Sequence, residues 1–241
     1  MNDKRFQIPA IILGVSLVLS VLIFGNFIYK IQSLNNTLTV TGSARQRVVS
    51  DTGKLVGRFM RTVTINNLKD GYKLMDSDKT KVINFFKDQK VDEKNIIISA
   101  VSQQDIWKQN EYDDQPKQYN LVQTVEVHLE DVNQLDKLSK NLQPLIDQNV
   151  LFSVERVEYY VSKLPEYRIS MLSDAIKDAK ARAEQIAGSS GKKVGIIKSA
   201  SAGVVQVLSP NSIDVSDYGT YDTSSIEKEI MVTVKALFTI R

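Results

Sequence analysis

The chain has 241 residues, of which 42% are hydrophobic, and carries a formal net charge of +3. This near-neutral balance excludes the strongly basic surface with which nucleic-acid-binding proteins contact phosphates. The sequence holds no cysteine, which excludes disulfides, thiolate metal sites and cysteine nucleophiles.

The N-terminal stretch from Gln7 to Tyr29, QIPAIILGVSLVLSVLIFGNFIY, contains no charged residue. As a helix it extends about 34 Å, which exceeds the roughly 30 Å hydrocarbon core of a membrane. Lys4 and Arg5 precede the stretch, so the positive-inside rule predicts a cytoplasmic N-terminus. A cleaved secretory signal is the alternative, but such signals usually have a shorter apolar region that ends at a small-x-small site.

This pattern predicts how the chain is organised. We expect residues 1–30 to form a cytoplasmic tip and a transmembrane anchor, residues 31–37 to form a polar linker, and residues 38–241 to form an extracytoplasmic domain. The protein is then expected in the cytoplasmic (inner) membrane as a single-pass protein. Its N-terminus lies inside and its domain lies in the periplasm or extracellular space.

Beyond the linker, hydrophobic residues alternate over 38–48 and 55–65, which predicts two strands joined by a turn. The next periodicities predict a helix over 71–90, with Tyr72, Met75 and Phe86 on its apolar face, and then strands over 95–106 and 119–130. A helix over 132–147, a strand over 152–162 and a helix that ends near 188 are predicted to follow. The last predicted elements are a strand from 192 to about 208, an exposed polar loop over 209–226 and a strand over 229–240. The order ββαββαβαββ, with its hairpins, predicts an α+β domain of mostly antiparallel sheets with helices packed on them.

The segment DAIKDAKARAEQIAGSSGKKVG, from Asp174 to Gly195, raises the question of a phosphate-binding loop at Gly191-Lys192. A Walker loop needs another glycine at position 186, which is Ile186, and it precedes a helix instead of following one. The end of a helix also presents the negative end of its dipole. We therefore interpret this segment as a structural joint between a helix and a strand.

The structural interpretation accounts for the small residues of the joint. Ala175, Ala179, Ala183 and Ala187 are spaced four apart, beside isoleucines of the same helix, and predict a close approach of that helix to a sheet. Asp178 and Arg182 are expected to pair across one turn on the exposed face, Gly188 is expected to end the helix in the left-handed conformation, and Gly191 is expected to allow the turn into the strand.

Stretches spread over 38–240 resemble the SIMPL-domain proteins of bacterial envelopes. They are LTVTGSARQRVVSD, YNLVQTVEVHLEDVNQLDKL, VERVEYYVSKLPEYR and LSDAIKDAKARAEQIAGSSGKKVGIIKSAS. The resemblance implies an extracytoplasmic α+β domain, ring-like oligomers and an association with envelope or oxidative-stress defence. It implies no catalytic residues. The sequence departs from the family pattern at Gln89-Lys90, where the family tends to place a helix-ending glycine, and in the loop over 209–226.

The first candidates for chemistry lie on predicted strands. His128 is the only histidine and alternates with apolar residues, so we expect its side chain to face solvent. With one histidine and no cysteine, a transition-metal site is disfavoured. Glu155 and Glu158 have the residue types of a glycosidase pair, but their neighbours indicate ordinary strand positions.

The remaining candidates share one predicted loop. A weak calcium site is one interpretation of the four acidic residues Asp105, Glu111, Asp113 and Asp114. Their spacing differs from that of a calcium-binding loop and favours a solvated hairpin tip. Trp107 in the same loop either marks a contact surface or folds back onto the sheet. We therefore predict no catalytic, cofactor-binding or metal-binding residue, and no cofactor.

The function predicted from these features is that of a non-enzymatic, membrane-anchored envelope protein that forms a homo-oligomeric scaffold or binds other envelope proteins. The alternative is an extracytoplasmic hydrolase whose site combines carboxylates and hydroxyls in an unrecognised pattern. Self-association is expected partly from the resemblance and partly because the last strand, IMVTVKALFTI, has Lys235 as its single charge. Such a strand invites pairing if it lies at a sheet edge.

Overall fold

The computed structural model describes residues 4–33, 36–107 and 116–241. Its first element is the helix α1, Lys4–Ser33. The apolar part of α1, Ile11–Ile31, has a mean hydropathy of 2.5, and none of it is buried inside the protein. This helix is long and apolar enough to cross a membrane, as expected of either an anchor or a signal sequence.

The fold is α+β with antiparallel sheets, as the sequence predicts. The elements that follow α1 are, in chain order, β1 (Thr37–Val49), β2 (Thr52–Thr64), α2 (Leu68–Asp88), β3 (Ile96–Ile98), β4 (Ser102–Asp105), β5 (Gln118–Leu129), α3 (Val132–Lys140), α4 (Gln143–Asp147), β6 (Phe152–Tyr160), α5 (Leu164–Ser189), β7 (Val194–Ala202), β8 (Gln206–Leu208) and β9 (Glu227–Ile240).

The chain divides into two compact units. The first unit comprises the residues up to Arg45, residues 165–205 and residues 231–241. The second unit comprises residues 46–164 and 206–230.

The second unit is built on a sheet with the order β3-β5-β2-β6, in which β4 also pairs with β5. Leu55, Phe59 and Leu121 lie on one face of this sheet and are fully buried. Met75 and Phe86 of α2 are fully buried in the same core. Alternate strand residues and one stripe of a helix therefore form a conventional core of large apolar side chains.

One buried position of α2 is charged. The side chain of Asp78 is only 2% exposed and pairs with the Arg61 guanidinium of β2, whose Nη2 donates to Oδ1 at 2.9 Å. Lys81 adds an ammonium 3.6 Å from Asp78. The hydrogen bond with Asp78 raises the pKa of Arg61. A buried carboxylate needs such partners, because it would otherwise lose its hydration without compensation.

The first unit contains a sheet in the order β1-β9-β7, covered by α5. Ala175, Ala179 and Ala183 are fully buried, which confirms the predicted alanine stripe. On β1, a Cβ atom at Gly42 would collide with the carbonyl oxygen of Ala175 and the amide nitrogen of Ala179. The helix backbone therefore rests directly on the strand.

Polar bonds fix the same helix. Arg182 donates to Asp178 at 2.8 Å, as predicted, and Asp178 also accepts the backbone amide of Ser43 at 2.7 Å. The isoleucines flanking the stripe do not share its burial, since Ile169 is 71% and Ile186 50% exposed.

Three helices end in the same way. The amide of Lys192 bonds to the carbonyl of Ala187, and Gly191 between them has φ 70°. The predicted left-handed residue was Gly188, and this detail is wrong because α5 continues through Ser189. Lys90 after α2 and Asn149 after α4 take the same conformation, with φ of 65° and 57°. This Schellman arrangement favours glycine, so Lys90 carries a conformational cost that Gly191 avoids.

Several predicted elements are divided in the structure. The strand over 95–106 is interrupted between β3 and β4, the helix over 132–147 between α3 and α4, and the last part of the 192–208 strand is the separate strand β8. Strands β1 and β2 lie in different sheets and do not form a hairpin. Strand β9 lies between β1 and β7, so it is central, and the condition under which β9 would invite pairing, an edge position, is not met.

Candidate functional site

A cleft of about 720 Å³ lies at one end of the sheet of the second unit. The end of β5, the start of β2, the residues after α2 and the start of α3 meet there. Its walls are formed by Thr52, Gly53, Lys54, Lys90, Asp92, Lys94, Asn95, His128, Leu129, Glu130, Asp131, Gln134 and Tyr160. Because charges of both signs line it, the cleft has no single electrostatic preference.

A row of polar side chains crosses the strands at this end. Lys54 of β2 is paired in register with His128 of β5 and with Glu158 of β6. The Lys54 ammonium lies 2.9 Å from the Glu158 carboxylate. Residues directly opposite on antiparallel strands contact each other, so the register of β2 assembles this row.

Glu158 is the most firmly held carboxylate of the row. It accepts a hydrogen bond from the hydroxyl of Tyr160 at 3.1 Å and contacts the Arg156 guanidinium at 3.3 Å. The bond from Lys54 lowers the pKa of Glu158, and the bond to Glu158 raises the pKa of Lys54. Burial raises the pKa of Tyr160. Glu158 is thus a fixed carboxylate anion, suited to orient a lysine and unsuited to donate a proton.

A second polar cluster closes the segment between β8 and β9. Lys228 is fully buried, and its ammonium donates to the carbonyls of Asp222 at 2.5 Å and Ser225 at 2.7 Å. Its nitrogen also lies 5.9 Å from the centre of the Tyr221 ring. Burial lowers the pKa of Lys228. This lysine ties the chain before β9 into a closed turn.

Asp222 occupies the centre of that turn. Burial opposes its ionisation, but the hydroxyls of Ser225 and Ser224, the Ser224 amide and the Lys228 charge lower the pKa of Asp222 to about 2. Tyr221 beside it accepts the backbone amide of Val161 at 2.9 Å. The predicted exposed loop over 209–226 is therefore fixed at its C-terminal end.

The strand register places two of the predicted candidates, His128 and Glu158, on either side of Lys54, and the others lie elsewhere. His128 has a 48% exposed side chain, as expected, and lies 3.8 Å from Glu126. Glu155 lies at a bulge of β6, 3.5 Å from Arg58, and does not join Glu158. Trp107 is 94% exposed and does not fold back onto the sheet.

The predicted acidic loop is described only at its base. Asp105 pairs with Lys117 at 2.9 Å, while Glu111, Asp113 and Asp114 lie outside the described residues. Within the described parts of the chain, no group of histidine and carboxylate side chains is arranged to hold a metal ion.

Four residues that the structure makes prominent were not among the candidates predicted from the sequence: Lys54, Tyr160, Asp222 and Lys228. Lys54 and Tyr160 carry no local signal, because their importance comes from strand register. Asp222 had one, since an aspartate followed by serines at 224 and 225 is typical of a turn in which the carboxylate bonds the next amides.

Comparison with known families gives one result. Residues 38–238 match the SIMPL family, which is described as a protein of unknown function (DUF541). No curated protein matches the chain.

Proposed function

Because the chain belongs to the SIMPL family, we propose that it is a non-enzymatic, single-pass membrane protein of the cell envelope. Its domain lies outside the cytoplasmic membrane, in the periplasm or extracellular space. There it self-associates and acts as a scaffold or interaction protein in envelope or oxidative-stress defence. The observation that carries this proposal is the uncovered apolar helix α1.

The anchor is supported by the burial pattern of α1. Large apolar side chains along it, such as Leu13, Leu19 and Phe24, are more than half exposed. Burying one such side chain stabilises by about 1.5–3 kcal/mol, so the whole helix strongly favours a hydrocarbon environment. Lys4 and Arg5 at its N-terminal end favour the orientation with the N-terminus inside.

The anchor is tested by N-terminal sequencing of the membrane-extracted protein. A chain that keeps residues 1–29 supports the proposal, whereas a mature chain that begins near Asn35 overturns it. Because the natural chain has no cysteine, an Asn2→Cys and a Ser139→Cys variant report orientation through a membrane-impermeant maleimide. We expect labelling of intact cells, with any outer membrane permeabilised, at position 139 only. Labelling at position 2 only would reverse the orientation.

Self-association is supported by the surface that each unit leaves exposed. In the first unit, β1 and β7 are the outer strands of their sheet. In the second unit, Trp107, Ile213 and Tyr218 are 94%, 89% and 97% exposed. Free strand edges and exposed aromatic side chains are features of protein–protein contact surfaces. The full chain in detergent should therefore have a protein mass by light scattering that is a multiple of 27.1 kDa. A monomer would reject this part of the proposal.

The non-enzymatic part is supported by the chemistry of the cleft. Lys54 and Tyr160 line the cleft, both are bonded to Glu158, and the bond from Lys54 lowers the pKa of that carboxyl group. The test is a panel of ester, glycoside and peptide substrates incubated with the full chain. Turnover that disappears in Glu158→Gln or Tyr160→Phe would favour the hydrolase alternative instead.

A further inference from the structure

The exposed end of the segment between β8 and β9 is a small acidic and apolar surface. We define the acidic tip as residues 212–218, SIDVSDY. Ile213, Val215 and Tyr218 are 89%, 58% and 97% exposed. Asp214 and Asp217 form no ion pair with any residue that the structure describes. The tip thus presents apolar groups and uncompensated negative charge together.

Hydrogen bonds hold the acidic tip at both of its ends. Arg47 bonds to Asn211 just before it at 3.0 Å, and Gln206 donates to the carbonyl of Ser216 at 2.5 Å. The amide of Val207 bonds to Thr220 at 2.8 Å just after the tip. A segment that is bonded at both ends, and yet exposes its apolar side chains, is already arranged for a partner, which reduces the entropy lost on binding.

The backbone of the tip is also available. The amides of Ile213 and Val215 donate no hydrogen bond to any described residue. These two residues alternate with Asp214 and Ser216, so an extended tip directs apolar and polar side chains to opposite sides. Such a segment has the properties of a strand that is added to the edge of a sheet.

The first unit carries a surface of complementary character. Strand β7 pairs with β9 on one side, and no described strand pairs with its outer edge. Ile196 and Ile197 on β7 are 72% and 43% exposed. Lys192 and Lys193, immediately before β7, form no ion pair within the described chain. Positive charge, exposed isoleucines and a free strand edge therefore occur together.

We propose that the acidic tip of one copy docks on the outer edge of β7 of a second copy. The proposal rests on the self-association proposed above and names the two surfaces that meet. Asp214 and Asp217 pair with the basic residues at the start of β7 in the second copy, and Ile213 and Val215, which share one side of the tip, cover its Ile196. The two surfaces differ, so the contact is heterologous and each copy keeps one free tip and one free edge for further copies.

Charge reversal tests the contact in the full chain in detergent. Asp214→Lys with Asp217→Lys should weaken self-association at least tenfold, and so should Lys192→Glu with Lys193→Glu. Combining all four substitutions should restore most of it, because opposite charges face each other again. Asp76→Lys with Asp88→Lys is the matched control, since both aspartates are exposed on α2 and the change in net charge is the same. The control should assemble like the unaltered chain.

The outcomes separate the two proposals. A monomeric unaltered chain rejects self-association and the docking contact together. An oligomer that survives both charge reversals rejects the docking contact alone. Loss in each pair without recovery in the fourfold variant also rejects it, because a contact between these two surfaces requires recovery.

Disulfide crosslinking gives an independent readout that does not depend on altered charges. The chain has no cysteine, so a tagged Val215→Cys chain can be mixed with a differently tagged Ile196→Cys chain and oxidised. A disulfide between the two tags should form much faster than with Ile169→Cys, a control whose isoleucine is 71% exposed on α5. Equal rates with Ile196→Cys and Ile169→Cys would overturn the proposal.

Discussion

The two units place a helix on an antiparallel sheet by opposite means. In the second unit, α2 contacts its sheet through large side chains, and Phe86 packs edge-on against Phe85 and Phe152 with ring centres 5.1 and 6.3 Å apart. In the first unit, α5 contacts its sheet through alanines and approaches Gly42 so closely that no Cβ atom fits. One interface is filled by side chains and the other by backbone.

This difference predicts opposite sensitivities to mutation. A core filled by large side chains loses stability when an atom group is removed and a cavity remains. An interface set by backbone contact loses stability when an atom group is added, because the helix must move away from the strand. Smaller side chains are therefore expected to destabilise the helix–sheet interface of the second unit, and larger side chains that of the first.

The largest loss is expected from Phe86→Ala, which removes a fully buried ring from the second unit. It should lower the free energy of unfolding by about 4 kcal/mol. Urea unfolding of the full chain in detergent measures the change, and hydrogen exchange assigns it to α2. Ile169→Ala, at a 71% exposed position, is the control and should change stability by less than about 0.5 kcal/mol. Equal effects of the two substitutions would contradict the comparison.

Gly42→Ala should cost about 3 kcal/mol, because the new methyl group meets backbone that cannot rotate away. Gly188→Ala is a matched control, since a Cβ atom there meets nothing within 4 Å. In that helix position alanine should stabilise by about 0.5–1 kcal/mol. The same chemical change therefore has opposite signs at the two glycines, as measured by thermal and urea unfolding. A neutral Gly42→Ala would refute direct backbone contact.

Ala183→Leu adds atoms at a second position of the same interface, because Ala183 on α5 is fully buried. Overpacking should lower stability by about 2 kcal/mol. Ala181→Leu introduces the same side chain on the exposed side of the helix and should be almost neutral. If both substitutions have the same effect, small size is not what the stripe requires.

The polar turn of the second unit adds a pH dependence. The pKa of Asp222 is lowered from 3.8 to about 2, so its ionised form stabilises the folded state above the unfolded pKa. This contribution, at most about 2 kcal/mol, is lost as the pH falls from about 4 to about 2. In Asp222→Asn that part of the acid dependence should be missing, which urea unfolding at several pH values measures. An unchanged acid profile would show that the turn does not depend on the charge.

The smallest change in stability is predicted for substitutions at the C-terminal ends of the two helices. Lys90 after α2 and Gly191 after α5 have φ of 65° and 70°. Lys90→Gly should stabilise by about 1 kcal/mol, and Gly191→Ala should destabilise by about the same amount. Thermal unfolding should show opposite shifts for the two variants. A loss of stability in Lys90→Gly would mean that the lysine side chain contributes more than its backbone conformation costs.

Much of this fold could be predicted because local periodicity determined it. The apolar helix α1, the buried alanines of α5 and the outward side chain of His128 follow from spacing alone. The family pattern also drew attention to Lys90, where the structure has a residue other than glycine in the left-handed conformation. In each case the relevant neighbours lie within a few residues along the chain.

What could not be predicted depends on distant partners. Nothing near Asp78 in the sequence indicates that it is buried, because Arg61, which neutralises it, lies on another element. Tyr72 was predicted on the apolar face and is 40% exposed, while Gly71 is buried in its place against Val63 and Leu121. The central position of β9 and the row at Lys54 depend on strand order, which one sequence does not reveal.

The buried amine of Lys228 also makes it possible to measure how often the turn around Asp222 opens. Its side chain is wholly inaccessible, so an acylating reagent that modifies surface lysines at once reaches it only during an opening of the turn around Asp222. The rate at which the peptide containing Lys228 gains an acyl group then measures how often that turn opens. The record is covalent and survives digestion, so it can be read by mass spectrometry from cells as well as from purified protein.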